Sequence, residues 1–409
     1  MKPMTDEQLL QEAKNKVSQC DRCGTCLTVC PLFGVKDIEK SAARGKNAMT
    51  RALADGGLEP TKAVLDAANF CLLCQNCVDS CPNKIKTDEA MVNVRQYIMN
   101  KTGGTTLKYK MLGGIMKKKG IVNLAAQSLS LIRALKLNKL VPFGMAPDEY
   151  TRSQFAQAFS GPASLGGQAA PSELAVKPNM KVAYFQGCGM KMMFPEAAVA
   201  SQNILKTTTT KFEVRDNVCC GIPHLGHGLR EDYLDLAKQN IEMYQDVDVV
   251  VTDCGSCGGT LKHIANYFAD DPVWSEKAKA FSGKVMDLSE YLVKVGYHPR
   301  QKIDATVTYH DPCHLVRGQG IKSQPRQLLK EAANFVDMKE SDKCCGGAGT
   351  FHMDYPEVSK QLIAKKQHNI EKSGAAVVVT GCPVCLVQMT KAAEASNGKF
   401  KAMHISQVI

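Results

Sequence analysis

Short apolar runs and longer helical stretches alternate along the C-terminal half of the chain. Asp248-Val-Val-Val-Thr and Ala376-Val-Val-Val-Thr are β-branched runs that read as strands, as do Val182-Ala-Tyr-Phe and Thr306-Val-Thr-Tyr. Residues 233–244 and 357–372 carry helical patterning between them. This alternation predicts α/β units with a largely parallel sheet. The run Thr207-Thr-Thr-Thr210 reads as the edge of a strand. Further upstream, Ile121, Leu124, Ser128, Ile132, Leu135 and Leu140 recur at roughly helical spacing, and residues 160–179 have the Gly, Pro and Ser content of a linker.

At 409 residues the chain is long for one domain, and its 44% hydrophobic content supports folded cores through most of its length. The order of patterns predicts five regions, 1–100, 101–159, 160–179, 180–300 and 301–409. Eighteen cysteines then change the picture. The N-terminus is polar, with no apolar signal-peptide core and no run long enough to cross a bilayer, so a cytoplasmic setting is expected. Clustered cysteines in that setting bind metal more often than one another.

Eight of them fall in two groups. Cys20-x₂-Cys23-x₂-Cys26-x₃-Cys30-Pro31 and Cys71-x₂-Cys74-x₂-Cys77-x₃-Cys81-Pro82 each match the bacterial ferredoxin run, in which the fourth cysteine serves the other cluster. The expected ligand sets are Cys20, Cys23, Cys26 and Cys81 for one [4Fe–4S] cubane, and Cys71, Cys74, Cys77 and Cys30 for the second. The fourth cysteine of each run is expected at the start of a helix. Zinc knuckles also use Cys-x₂-Cys, but a third x₂-spaced cysteine followed by Cys-Pro has no role in them.

The other ten cysteines form an internal duplication. Cys188, Cys219-Cys220-Gly221 and Cys254-Gly-Ser-Cys257 are repeated as Cys313, Cys344-Cys345-Gly346 and Cys382-Pro-Val-Cys385. The first intervals are equal (219 − 188 = 31; 344 − 313 = 31), and the second are close (254 − 220 = 34; 382 − 345 = 37). Each valine-rich strand ends just before a Cys-x-x-Cys pair, at the carboxyl end where ligands sit in open α/β sheets. Five cysteines exceed the needs of one tetrahedral metal or one cubane, and adjacent cysteines make a strained disulfide. A larger or opened iron–sulfur cluster fits, with the glycine letting backbone approach sulfur. A zinc site with a spare thiol fits the spacing equally.

The pattern resembles the cysteine-rich CCG domain of heterodisulfide reductases and of the iron–sulfur subunits of glycolate, lactate and anaerobic glycerol-3-phosphate oxidising complexes. Tyr309-His-Asp-Pro-Cys-His314 and Cys344-Cys-Gly-Gly-Ala-Gly-Thr350 carry that resemblance most clearly. It covers the whole chain and implies an α+β multidomain protein, an N-terminal α-helical dicluster ferredoxin-like domain followed by two duplicated α/β CCG domains. It also implies one or two noncubane [4Fe–4S] clusters in those domains, held by Cys188, Cys219, Cys220, Cys254 and Cys257 and by Cys313, Cys344, Cys345, Cys382 and Cys385. Relatives that serve hydroxyacid dehydrogenases often lack the first cysteine of a Cys-x-x-Cys, whereas both pairs are complete here.

The net charge of +11 is concentrated in one stretch. Arg95, Lys101, Lys108, Lys110, Lys117, Lys118, Lys119, Arg133, Lys136 and Lys139 stand in a segment with no Asp or Glu between Ala90 and Pro147. Residues 95–139 thus offer a docking face for an acidic partner or a peripheral membrane contact, or form an ordinary solvated helix. Tyr97 and Tyr109 are too few for base stacking, so nucleic acid is not expected as a partner. His310 and His314 flank Cys313, placed either to hydrogen-bond cluster sulfur or to hold the strand end; His224 and His227 follow Gly221. No Gly-x-Gly-x-x-Gly in either repeat and no Walker-type loop anywhere supports FAD, NAD or ATP binding.

An electron carrier without a flavin site needs a donor. The expected role is the iron–sulfur subunit of an FAD-linked 2-hydroxyacid oxidoreductase of the glycolate or D-lactate type. FAD would reside only on a partner dehydrogenase subunit, with quinone or another carrier as acceptor. A heterodisulfide-reductase-like subunit that reduces a disulfide is the alternative.

Overall fold

The computed structural model describes residues 4–103, 107–118, 120–124, 128, 174, 177–299 and 303–409. The helix expected through Ile132, Leu135 and Leu140, and most of the 160–179 linker, lie outside the described residues.

The N-terminal part is helical. Helix Asp6–Val17 opens with a capping box, in which Thr5 accepts from the Gln8 backbone N–H and Gln8 returns a bond to the Thr5 N–H. Its buried face of Leu9, Ala13 and Val17 packs towards helix Thr87–Thr102, where Ala90, Met91, Val94 and Ile98 are buried. The short helices Thr25–Val29 and Asn76–Asp79 follow the first cysteines of each ferredoxin-type run. Cys30 closes the first of them and Cys81 lies in the turn after the second, so the fourth cysteine of each run ends a helix rather than starting one. The proline that follows each explains this, since the residue before proline is steered out of the helical region.

The remainder is two four-stranded parallel sheets. Strands β1 (Lys181–Tyr184), β2 (Lys211–Val214), β3 (Val249–Thr252) and β4 (Val285–Asp287) lie in the order β2-β1-β3-β4. Strands β5 (Ile303–His310), β6 (Ala333–Phe335), β7 (Val377–Thr380) and β8 (Lys401–His404) repeat it as β6-β5-β7-β8. The registers also repeat: Tyr184 pairs with Val251, and Tyr309 with Val379. β3 and β7 are buried at every position, as expected of central strands covered on both faces. The predicted helices occupy Arg230–Met243 and Pro356–Ser373.

The threonine run departs from expectation. Thr207 and Thr208 finish helix Pro195–Thr208, and β2 starts only at Lys211. Their hydroxyls donate to the Ile204 and Leu205 carbonyls at 2.7 and 2.9 Å, using acceptors free in the last helical turn.

The basic stretch is partly absorbed by the fold. Arg95 is buried, and its guanidinium donates to the carbonyls of Ala68, Cys71 and, at 2.6 Å, Gly226, fastening the helical part to the first repeat. It is a structural residue and not part of a docking face. Lys101 pairs with Asp6 at 3.0 Å and Lys117 with Asp232 at 2.6 Å. The side chains of Lys108 and Lys110, and Lys119, Arg133, Lys136 and Lys139 altogether, lie outside what is described. Among the described residues no helix is long and apolar enough to cross a membrane.

The buried charges make this packing testable. Arg95→Met strands several carbonyls that a charged donor satisfied, so it should cost at least about 3 kcal/mol of stability in denaturant titration, and Arg95→Lys less. Asp287 is the second case. It caps helix Leu288–Lys294, and burial raises its carboxyl to about 6 against the Ser289 bonds that pull it down. A raised carboxyl gives stability at low pH that is lost as pH climbs through about 6. Asp287→Asn keeps the capping oxygen, so it should be more stable than the native chain by about 2–3 kcal/mol above about pH 7, with the gap closing towards about pH 4.

Candidate iron–sulfur sites

Each ferredoxin-type run wraps a loop around its own cavity. Cys20, Cys23, Cys26 and Cys81 line one of about 110 Å³, together with Asn47 and Pro82. Cys30, Cys71, Cys74 and Cys77 line a second, smaller one with Lys46 and Thr87; Cys77 borders both. Left-handed residues shape the loops, Arg22 and Gly24 in the first, Leu73 and Gln75 in the second. Cys23 is exposed, whereas Cys74 is buried.

Buried polar groups surround the sulfurs. Lys46 is 2% exposed and donates to the Lys40 and Ser41 carbonyls at 2.8 and 2.7 Å. Burial lowers its pKa, while the charges of Cys71 and Cys30 beside it work against that shift. The Asn47 amide donates to Cys20 Sγ at 3.4 Å and accepts from Thr87 Oγ1 at 2.9 Å. A buried ammonium and an amide are the partners that anionic sulfur requires in a core. Sequence reasoning missed both residues, because neither belongs to a motif; their one signal is polarity at buried positions of helix Ala43–Ala54.

In the repeats, the cysteines gather at the carboxyl ends of the strands. Cys188 follows β1, Cys219 and Cys220 follow β2, and Cys254 and Cys257 follow β3, with the same order in the second copy. Gly221 and Gly346 adopt positive φ, and their N–H groups donate to Cys219 Sγ and Cys344 Sγ at 3.4 and 3.5 Å. A Cβ on Gly221 would stand 2.5 Å from the Tyr233 ring. The Cys-Cys-Gly sequence is therefore a turn that closes on sulfur.

The two sheets meet at these ends. The Gly255 N–H donates to the Gly381 carbonyl at 2.9 Å, and Ser256 Oγ lies 3.5 Å from Cys382 Sγ. The thiols form a seam: Cys188 is 3.8 Å from Cys219, Cys254 interacts with Cys382, and Cys345 is 3.5 Å from Cys385. Cys344 at the far end interacts with Cys313 and with Cys74 of the helical part. Leu32, Leu72, Phe351 and Leu362 seal that last contact in one apolar cluster.

Their ionisation is divided. Cys345 and Cys382 are held far below the usual thiol range by neighbouring thiols that donate to them, Cys344 in the first case and Cys254 in the second. Cys188 and Cys313 are pushed far up by the thiols they donate to, Cys219 and Cys344, and by burial. Sulfur ligands must be deprotonated, so metal binding here would expel protons.

The histidines divide as well. His314 Nε2 pairs with the Leu73 carbonyl at 3.0 Å, and His224 with that of Gly113 at 3.2 Å. His227 Nε2 lies 2.8 Å from Thr350 Oγ1. His310 is 1% exposed, burial lowers its pKa to about 3, and among the described residues neither ring nitrogen has a hydrogen-bond partner. One of those nitrogens lies within 4.8 Å of Cys345 Sγ and Cys385 Sγ, which are as close to each other.

Soft thiols in such sets suit iron–sulfur clusters, and the unpartnered buried donors fit a group that would complete them. A cavity of about 600 Å³ also opens between the helical part and the two repeats, with Arg230 and Gln319 among its walls and no cysteine.

Thiol-lined cavities beside a buried seam of thiols define an iron–sulfur protein of the electron-transfer class. The 4Fe-4S dicluster domain family matches residues 16–85, and the cysteine-rich domain family matches 182–262 and 307–390. A Bacillus subtilis protein named "Probable glycolate oxidase iron-sulfur subunit" is 30% identical over 99% of this chain and 98% of its own. One subunit of the fumarate reductase (CoM/CoB) of Methanothermobacter marburgensis is 25% identical over 96% of this chain and 72% of its own. "Lactate utilization protein A" of Exiguobacterium sp. is 32% identical over 56% of this chain and 96% of its own. The chain belongs to the family of the glycolate oxidase iron–sulfur subunit: a dicluster domain followed by two cysteine-rich repeats.

Cys74 tests the independence of its halves. Cys74→Ser should remove or convert one cluster, seen as lost iron and visible absorbance, while far-UV circular dichroism keeps the signature of the two sheets. Loss of iron in equal measure from both halves would show that the contact with Cys344 couples them.

Proposed function

We propose that this chain is the electron-transfer subunit of an FAD-linked 2-hydroxyacid oxidoreductase of the glycolate or D-lactate type. A separate flavoprotein takes two electrons from the hydroxyacid, and this chain passes them singly towards a quinone or another carrier. Cys20, Cys23, Cys26 and Cys81 hold one cubane, and Cys30, Cys71, Cys74 and Cys77 the other. The five cysteines of each repeat hold a further, noncubane cluster. The observation that carries this reading is the seam of thiols, which runs through both repeats and reaches the helical domain at Cys74 without a protein layer between. Bound clusters supply one-electron chemistry; the chain supplies their spacing, a buried ammonium at Lys46 and exclusion of water. The similarity to a protein named for glycolate oxidase over nearly its full length supports the substrate class.

A second reading is disulfide reduction. It is favoured by both Cys-x-x-Cys pairs being complete and by Cys254 and Cys382 facing each other across the repeats.

Anaerobic purification of the native complex, with iron, zinc and flavin quantified and co-purifying chains identified, separates the readings. The expected result is iron for about four [4Fe–4S] clusters per chain, together with FAD on a second polypeptide. The same iron without flavin, beside a haem protein, would shift the assignment to disulfide chemistry. Iron for two clusters with stoichiometric zinc would remove the repeats from the electron path.

A further inference from the structure

The two repeats share a register, a topology and five cysteines, but they differ at one buried position beside the sulfurs. Tyr184 and Tyr309 occupy the same place in their sheets, paired with Val251 and Val379. The next residue is Phe185 in the first repeat and His310 in the second. Phe185 is fully buried against Tyr244 and offers no donor atom. His310 is as deeply buried and offers two nitrogens.

An imidazole is rarely left in a core with both nitrogens unpartnered, because burying them without compensation is unfavourable. Among the described residues no protein group completes a hydrogen bond to either one. What His310 does face is Cys345 and Cys385: one of its nitrogens and these two sulfurs all lie within 4.8 Å of one another, the spread expected of atoms that share one metal.

We propose that His310 is an iron ligand, giving the second repeat a nitrogen at the iron position that Cys345 and Cys385 face, where the first repeat has none. The inference rests on the reading that the second repeat holds an iron–sulfur cluster. Nitrogen ligation of iron goes with a raised reduction potential in Rieske centres, where histidine replaces cysteine; here the nitrogen joins the five thiolates, and a shift in the same direction is the expected effect. The second repeat is therefore the more oxidising of the two, and an electron on the seam settles beside Cys344, next to Cys74.

The test uses the full chain, purified and reduced anaerobically, with ¹⁵N-labelled and unlabelled histidine compared by pulsed electron paramagnetic resonance. The expected result is a strong nitrogen coupling that changes with the label and vanishes in His310→Phe, the residue of the first repeat. In that variant the potential of the second-repeat centre should fall by at least a tenfold change in its reduction equilibrium, about 59 mV for one electron. The potential of the first-repeat centre should hold. Should His310→Phe fail to retain iron, the labelled native chain still decides, since its coupling is read without any substitution. Coupling that is absent, or as weak as a hydrogen bond gives, overturns the ligation while leaving the electron-transfer reading intact. If Cys385→Ser carries as much iron as the native chain, the second repeat holds no cluster, and that reading falls together with this inference.

Discussion

Sulfur anions do not belong in a protein core unless something compensates them, and the architecture follows from that constraint. Ten thiols converge where the carboxyl ends of two parallel sheets abut, and eight more surround two cavities in a helical domain. Neighbouring thiols that donate to them hold Cys345 and Cys382 well below the usual thiol range. Several polar placements serve the same end: the N–H groups of Gly221 and Gly346 and the Asn47 amide reach sulfur, and the Lys46 ammonium lies under the influence of Cys71 and Cys30. Iron would replace this arrangement of protons by metal–sulfur bonds, which is the energetic reason to build it.

The fold also fixes distances between the parts. Arg95 ties the helical domain to the first repeat through the Gly226 carbonyl, and His314 ties the second repeat to the Leu73 carbonyl beside Cys74. The first also ends on the Cys71 carbonyl, and the second adjoins Cys313. Hydrogen bonds made next to the sulfurs thus help to set the spacing between the helical domain and the seam.

Much of this was legible in the sequence. The cysteine spacings picked out the residues that line the two cavities and the seam, and the two valine runs named the central strands, because motif and β-branching are local properties. The threonine run misled: β-branched residues favour strands, yet Thr207 and Thr208 satisfy free carbonyls at a helix end. Arg95 misled for the converse reason, since a charge in a basic stretch looks solvated until three backbone carbonyls are seen around it. Lys46, Asn47 and the Phe185–His310 difference needed the structure. Their meaning lies in what surrounds them, and no spacing rule encodes that.

Burial along this row of sulfurs is uneven. Cys74 and most cysteines of the repeats are buried, while Cys23 is open to solvent. In terms of damage, the molecule resembles an insulated conductor stripped at one tip. A metal group held at Cys20, Cys23 and Cys26 would be the one most open to oxygen and peroxide, so damage would begin at that tip. The same bare tip would offer a soluble redox partner a short approach.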